Sequence, residues 1–213
     1  LGMQQSAFEP TPEIENNLAK AYMWSYDHRR FVAPTFELGM APAGSMYAPV
    51  TDLAKFLSVL FNRGKSANTQ VLKPETLEQM WTPQFAPASE KNGYGIGFAL
   101  SELQGHRRIG HGGAIYGFAT ELAALPEPKL GAAVVTTLDC ANEVVTRIAD
   151  YALACMLAQH NGAPLPQFVA LDTVAAAVAR ARAGRYAFGE NEIELINREG
   201  KLTLRRRELL VQL

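Results

Sequence analysis

Only two cysteines, Cys140 and Cys155, occur in the 213 residues, too few for a disulfide framework. Cys155 falls on an apolar helical stripe and reads as a small core residue. No apolar run approaches the ~20 residues needed to span a bilayer. An excess of one charge is equally absent. The 20 Lys+Arg and 21 Asp+Glu leave a net charge of -1, which gives no basic footprint for nucleic acid and no acidic tail. Histidine is down to four residues. His106 and His111 lie five apart in strand context and face opposite sides, with no Cys or carboxylate cluster beside them, so neither a metal nor another cofactor is expected. His28 and His160 read as surface residues. Leu1-Gly2-Met3-Gln4-Gln5 has neither the basic start nor the apolar core of a signal peptide. It does not read as a natural start either, so the compartment stays open.

What is present is ordinary globular composition, 48% hydrophobic and 19% charged. The length suits one large domain, or one domain with a small appendage. The chain is organised around residues 105–139. A strand ends in Ile109-Gly110-His111-Gly112-Gly113, and two further apolar runs, 117–125 and 131–138, are separated by Pro126-Glu127-Pro128-Lys129. Three antiparallel strands joined by tight connections are expected. Glycine inside a sheet weakens it and marks a place where a ligand or another backbone comes close. This stretch is therefore read as one wall of a binding or catalytic site.

Residues 1–43 have weak periodicity and many prolines, and read as ordered loop with one short strand at 22–27. Thr51-Asp52 reads as a helix cap. Leu53, Phe56, Leu57, Leu60 and Phe61 then form one apolar face, and Asn62-Arg63-Gly64 ends that helix. Pro74 starts a second helix whose buried side is Leu77, Met80 and Trp81. Residues 92–100 read as a glycine-rich strand. Asn142 or Glu143 opens a helix to about residue 159, with Val145, Ile148, Tyr151, Ala152, Cys155 and Met156 as its apolar stripe. That helix is expected to pack across one face of the sheet. After Pro164-Leu165-Pro166 the character changes. An Ala-rich helix is expected from Asp172 to Gly184, then a period-two meander through 185–188, 192–196, 201–204 and 209–211.

Several of these segments, in order, resemble the serine β-lactamase/penicillin-binding-protein superfamily in its class-C-like, esterase and D-aminopeptidase branch. Leu1-Gly2-Met3 is similar to the end of its "Pro-Leu-Gly-Met" segment. Pro42-Ala43-Gly44-Ser45 through Thr51-Asp52-Leu53-Ala54-Lys55-Phe56 resembles "P-A-G-G-L-x-S-T-A-x-D-L-A-R-F". Leu72-Lys73-Pro74-Glu75-Thr76-Leu77 with Thr82-Pro83-Gln84 resembles "L-S-P-E-T-L…T-P-Q". Tyr94-Gly95-Ile96-Gly97-Phe98 resembles "Y-G-Y-G-W", and Gly110-His111-Gly112-Gly113 with Gly117-Phe118 resembles "G-H-x-G…G-F". The match covers residues 1 to about 140. His-Gly-Gly also resembles the oxyanion loop of lipase-type α/β-hydrolases, but the Gly-x-Ser-x-Gly elbow of that fold is missing.

The resemblance implies an α/β fold of the α+β type, the C-terminal portion of a β-lactamase/DD-peptidase-like domain, with an antiparallel sheet flanked by helices. Residues 1–160 would belong to that domain, 161–184 would be a linker and short helix, and 185–213 would start a small β domain resembling a lipocalin-like barrel. A sheet with only part of its helices is expected to leave an apolar face uncovered.

The resemblance also implies a mechanism. The family acylates the serine of a Ser-x-x-Lys motif, with that lysine and a Tyr-x-Asn tyrosine moving protons. Carried over by position, His111 is the substrate-facing residue of the His-x-Gly element. Gly112 and Gly113 form the bare strand surface against which the substrate lies. The Ala114 backbone N–H is one of two oxyanion donors. Neither Ser-x-x-Lys nor Tyr-x-Asn occurs in the sequence. The nucleophile is therefore expected from an N-terminal half of the same protein, partner to this chain. The substrate would be a small ester, a β-lactam or a D-peptide, with no nucleic-acid or membrane partner. Histidine in place of Lys-Thr-Gly leans towards ester or D-peptide work, since imidazole lacks a permanent charge at pH 7. Export to a periplasm or medium is what the family suggests. The competing reading is a non-catalytic relative that uses the same wall to bind or scaffold.

Overall fold

A computed structural model describes the backbone of every residue except 26–28, 36–38, 40, 88, 169–173, 189–190, 199–200, 207–208 and 213. His28 and Asp172 thus lie outside the described residues. The chain divides into two compact units, Leu1–Pro166 and Gln167–Leu213.

The first unit opens with helix α1 (Pro12–Asn17), hairpin strands β1 (Tyr22–Trp24) and β2 (Arg30–Val32), and the single turn α2 (Ala41–Gly44). Three of these were not expected from a stretch read as loop. The signal for α1 was there: Thr11 accepts a hydrogen bond from the Ile14 N–H at 3.3 Å, and Pro12 takes the first helical position.

Helix α3 (Val50–Phe61) carries the expected apolar face, with Leu57 and Leu60 buried and Phe56 and Phe61 packed beside them. Its start differs from expectation. Pro49 is the cap residue, with no side-chain cap bond, and Asp52 lies inside the first turn. Its carboxylate is fully buried and accepts from Lys55 Nζ at 2.7 Å, Ser6 Oγ at 2.8 Å and the Gln5 N–H at 2.9 Å. Asp52 therefore ties the N-terminal segment to α3 instead of capping it. The Lys55 hydrogen bond, above all, holds its pKa below the ordinary carboxylate value against the opposing effect of burial.

A short hairpin, β3 (Lys65–Ser66) and β4 (Thr69–Gln70), leads to α4 (Pro74–Met80), which buries Leu77 and the following Trp81. The glycine-rich strand expected over 92–100 is two pieces, β5 (Gly93–Tyr94) and β6 (Ala99–Leu103). Between them Gly97 has φ +76°, and the Ile96 N–H donates to the Met80 carbonyl at 3.0 Å. The glycines let the chain turn here and dock on the end of α4.

Then come β7 (His106–Ile115), β8 (Phe118–Leu125), β9 (Leu130–Thr136) and α5 (Asn142–His160). Strands β5 to β9 form one antiparallel meander in sequence order. Period-two alternation sorts its side chains onto two faces. On one face Leu100, Ile109 and Ala124 join Leu57, Leu60, Leu77 and Trp81 in a cluster under α3 and α4. On the other, Ala123 and Leu125 pack with Ala149, Leu153 and Leu157 of α5. The expected bare face is not found, because helices lie on both sides. The stripe of α5 also differs. Val145 is buried as expected, but the inward line continues through Ala149, Leu153 and Leu157, while Ile148 is 43% exposed and Cys155 only half-buried.

The second unit contains α6 (Ala176–Arg182) and strands β10 (Gly184–Phe188), β11 (Asn191–Arg198), β12 (Lys201–Arg206) and β13 (Leu209–Gln212), paired antiparallel in that order. Helix α6 packs on β11 and β12 with Ala179 fully buried. Gly184 opens β10 instead of stopping the helix, which ends at Arg182.

Candidate active-site wall

The β7 strand is ten residues long, but its two neighbours cover different lengths of it. Strand β6 pairs with it only as far as Ala99 opposite Gly110. Strand β8 continues to Phe118 opposite Ile115. Among the described residues, the segment His111–Ile115 therefore has one strand partner and one open edge. The four residues singled out in the sequence, His111, Gly112, Gly113 and Ala114, all lie on that edge segment.

His111 is exposed and, by alternation, shares the face of Ile109. Its Nδ1 lies 2.7 Å from the Gly112 carbonyl. A carbonyl only accepts, so a hydrogen bond at this contact places a proton on Nδ1. Gly112 stands opposite Glu121, and Gly113 opposite Thr120. A Cβ on Gly113 would run into Thr120 Oγ1, so a larger residue here needs the Thr120 side chain to move. Ala114 is exposed, opposite the fully buried Ala119.

Behind this wall, on the α5 face, lies a charged group that the sequence reading missed. Arg108 is 8% exposed and Glu121 is 7% exposed. Arg108 Nη2 donates to Glu121 Oε1 at 2.8 Å, and its Nε donates to Asp150 Oδ1 at 2.7 Å. Burial by itself would lower the arginine pKa, but the hydrogen bonds to Glu121 and Asp150 outweigh it and raise the value. Thr146 Oγ1 donates to Glu121 Oε2 at 3.2 Å. Asn142 Nδ2 donates to the Gly113 carbonyl at 2.9 Å. The available signal was a glutamate inside the apolar run of β8, together with Asn142, Thr146 and Asp150 spaced by four along α5.

A cavity of about 340 Å³ opens at the other end of β7, between α3, α4 and the β8–β9 turn, lined in part by Leu60, Trp81, Arg107 and Glu127. Arg107 there already pairs with Glu78 at 3.0 Å and Glu127 at 3.2 Å. Its charge is spent, and the four candidate residues do not line it. Among the described residues no trio of His, Cys, Asp or Glu could hold a metal ion, and no helix is long and apolar enough to cross a membrane. His160 is exposed at the end of α5, as expected.

The comparisons with known proteins agree with this fold. A family model described as Beta-lactamase matches residues 1–154. The unguisins hydrolase ungD' of Aspergillus campestris is 32% identical over 99 residues, 44% of this chain and 17% of that protein. The octameric penicillin-binding protein homologue from Pyrococcus abyssi has the same fold with a TM-score of 0.65 at 24% identity, covering 99% of this chain and 47% of that one. A D-stereospecific amidohydrolase from Streptomyces sp. gives a TM-score of 0.50 at 24% identity, covering 64% of this chain and 40% of that one. The chain thus spans less than half the length of each of these proteins.

Proposed function

The chain belongs to the beta-lactamase family of serine hydrolases, and from that premise we propose that it supplies one wall of an active site that works through an acyl-enzyme. The observation that carries this reading is the open, glycine-bare edge of β7 at His111–Ile115. A substrate laid along that edge meets strand backbone with no side chain from Gly112 or Gly113 in the way. The His111 imidazole stands beside it.

In the proposed reaction a serine outside this strand attacks the substrate carbonyl and gives up its proton to a base. The carbonyl oxygen becomes an oxyanion held by the Ala114 N–H and by the serine's own N–H. Collapse expels the alcohol or amine, which takes up a proton, and water then releases the acid. Removing one oxyanion donor costs ~10²–10³ in rate. The substrate class is a small ester or a D-amino-acid-containing amide, with a β-lactam as the less favoured candidate. An imidazole at position 111 lacks the permanent charge with which a lysine would attract a substrate carboxylate. The name of the Streptomyces amidohydrolase adds support for D-configured amides.

Incubating the full-length gene product with a fluorophosphonate probe tests the reading. One labelled serine, with hydrolysis of a p-nitrophenyl ester or a D-amino-acid p-nitroanilide, supports it. A second reading, a non-catalytic binding protein, is favoured by the lack of Ser-x-x-Lys in these 213 residues. No label on any serine of the full-length product would decide for that second reading.

A further inference from the structure

Three polar residues of α5, Asn142, Thr146 and Asp150, are spaced by four and so fall on one stripe of the helix. Each reaches a different part of the glycine strand or its support. Asn142 holds the Gly113 carbonyl, Thr146 holds Glu121, and Asp150 holds Arg108. Arg108 and Glu121 close the lattice between β7 and β8 at 2.8 Å. Glu121 Oε2 lies 3.3 Å from where a Cβ on Gly112 would stand, and its Oε1 is equally close to the Cβ position of Gly110. The charged group therefore fills the space that side chains on these two glycines would occupy.

An isolated buried ion pair is a poor source of stability, because desolvation offsets the attraction. This one is anchored at both ends and sits directly under the four residues of the proposed wall. Resting on the hydrolase reading above, we infer that Asn142, Thr146, Glu121 and Arg108, with Asp150, are positioning residues. They hold the backbone of Gly112 to Ala114 at a fixed height on its open edge. None of them touches the substrate. They act through the strand, by fixing where the Ala114 N–H points. Strand segments paired on one side only fluctuate more than doubly paired ones, so an oxyanion donor on such an edge needs support from behind.

The test uses the full-length gene product and two variants, Glu121→Gln and Asn142→Ala. The second sits in the first turn of α5, outside the buried ion pair, and serves if the first does not fold. Two readouts are taken. Amide hydrogen exchange is followed over residues 110–116 and over β6, and kcat and KM are measured on a p-nitrophenyl ester. The expected result is exchange over 110–116 faster by about tenfold, with β6 unchanged. On the same reasoning kcat falls about 10- to 100-fold at unchanged KM. Exchange and kcat equal to the unmodified protein overturn the inference, as does a rise spread evenly over the whole sheet. If the unmodified protein hydrolyses nothing while exchange rises only over 110–116, the positioning stands and the hydrolase reading falls. If it hydrolyses and both variants match it, the reverse holds.

Discussion

His111 stands directly opposite Leu122 across the β7–β8 ladder. Leu122 packs against the cluster under α3 and α4, so the imidazole rises from the rim of the core without being part of it. On one side it has a packed leucine, and on the other the open edge. A residue so placed can be removed without opening a cavity.

His111→Ala in the full-length gene product should therefore separate activity from stability. Turnover of an ester substrate is expected to fall about 10²-fold, the lower end of the range for a lost proton-handling group. Unfolding free energy should move by no more than about 0.5 kcal/mol, as for exposed sites elsewhere. Steady-state kinetics and a urea titration on the same samples check both. An equally active variant returns His111 to a structural role.

Much of this arrangement was legible in the sequence, and the part that was not has a physical cause. The strand runs of β7, β8 and β9 and the helices α3, α4 and α5 are strongly periodic, and local pattern is enough to place them. The α5 stripe shifted because alanines count as neutral in a pattern of large residues. Ala149 is fully buried in the cluster with Ala123, Leu125, Leu153 and Leu157, so the inward line runs through an alanine that a pattern of large residues passes over. The candidate wall was legible because glycine beside histidine in a strand is unusual. Its support was not, because Arg108, Glu121 and Asp150 lie 13 and 42 residues apart from one another in the pairs they form. Only the antiparallel register and the crossing of α5 bring them together.

The α5 correction can be checked by mutation. Leu153 is fully buried between α5 and the sheet, whereas Ile148 is 43% exposed. Leu153→Ala is expected to cost about 2–5 kcal/mol, the range for a large-to-small change in a packed core. Ile148→Ala should cost less than about 1 kcal/mol. Urea titrations of the two variants decide. The reverse order would restore the stripe read from the pattern.

Two glycines with nearly the same backbone angle allow strain to be separated from crowding. Gly105 has φ +82° with nothing near its Cβ position, and Gly117 has φ +80° with Ala33 Cβ at 2.6 Å and Ala21 Cβ at 2.7 Å. Gly105→Ala carries only the left-handed backbone cost, about 1–2 kcal/mol. Gly117→Ala adds overpacking of about 1–3 kcal/mol where the β7–β8 turn meets the β1–β2 hairpin. A thermal melt of each should show Gly117→Ala as the more destabilised. Equal shifts would mean that the hairpin gives way freely.

Asp52 makes stability depend on acid pH. Its pKa is held below the ordinary value in the folded protein, chiefly by the Lys55 hydrogen bond and also by Ser6 and Gln5, with burial opposing. In the unfolded chain it titrates near about 3.9. Between the two values the unfolded chain binds more protons, so stability rises with pH across that interval. The contribution is complete above the unfolded value and is lost as pH falls through the folded one, below about pH 4. Asp52→Asn removes the titration but keeps a group of similar size. Thermal midpoints taken from pH 7 to pH 3 should thus fall more steeply for the unmodified protein than for Asp52→Asn at the acid end, with the variant lower at pH 7. Parallel curves would show that the Lys55–Asp52–Ser6 contact, although buried, leaves the carboxylate no different from one in the unfolded chain.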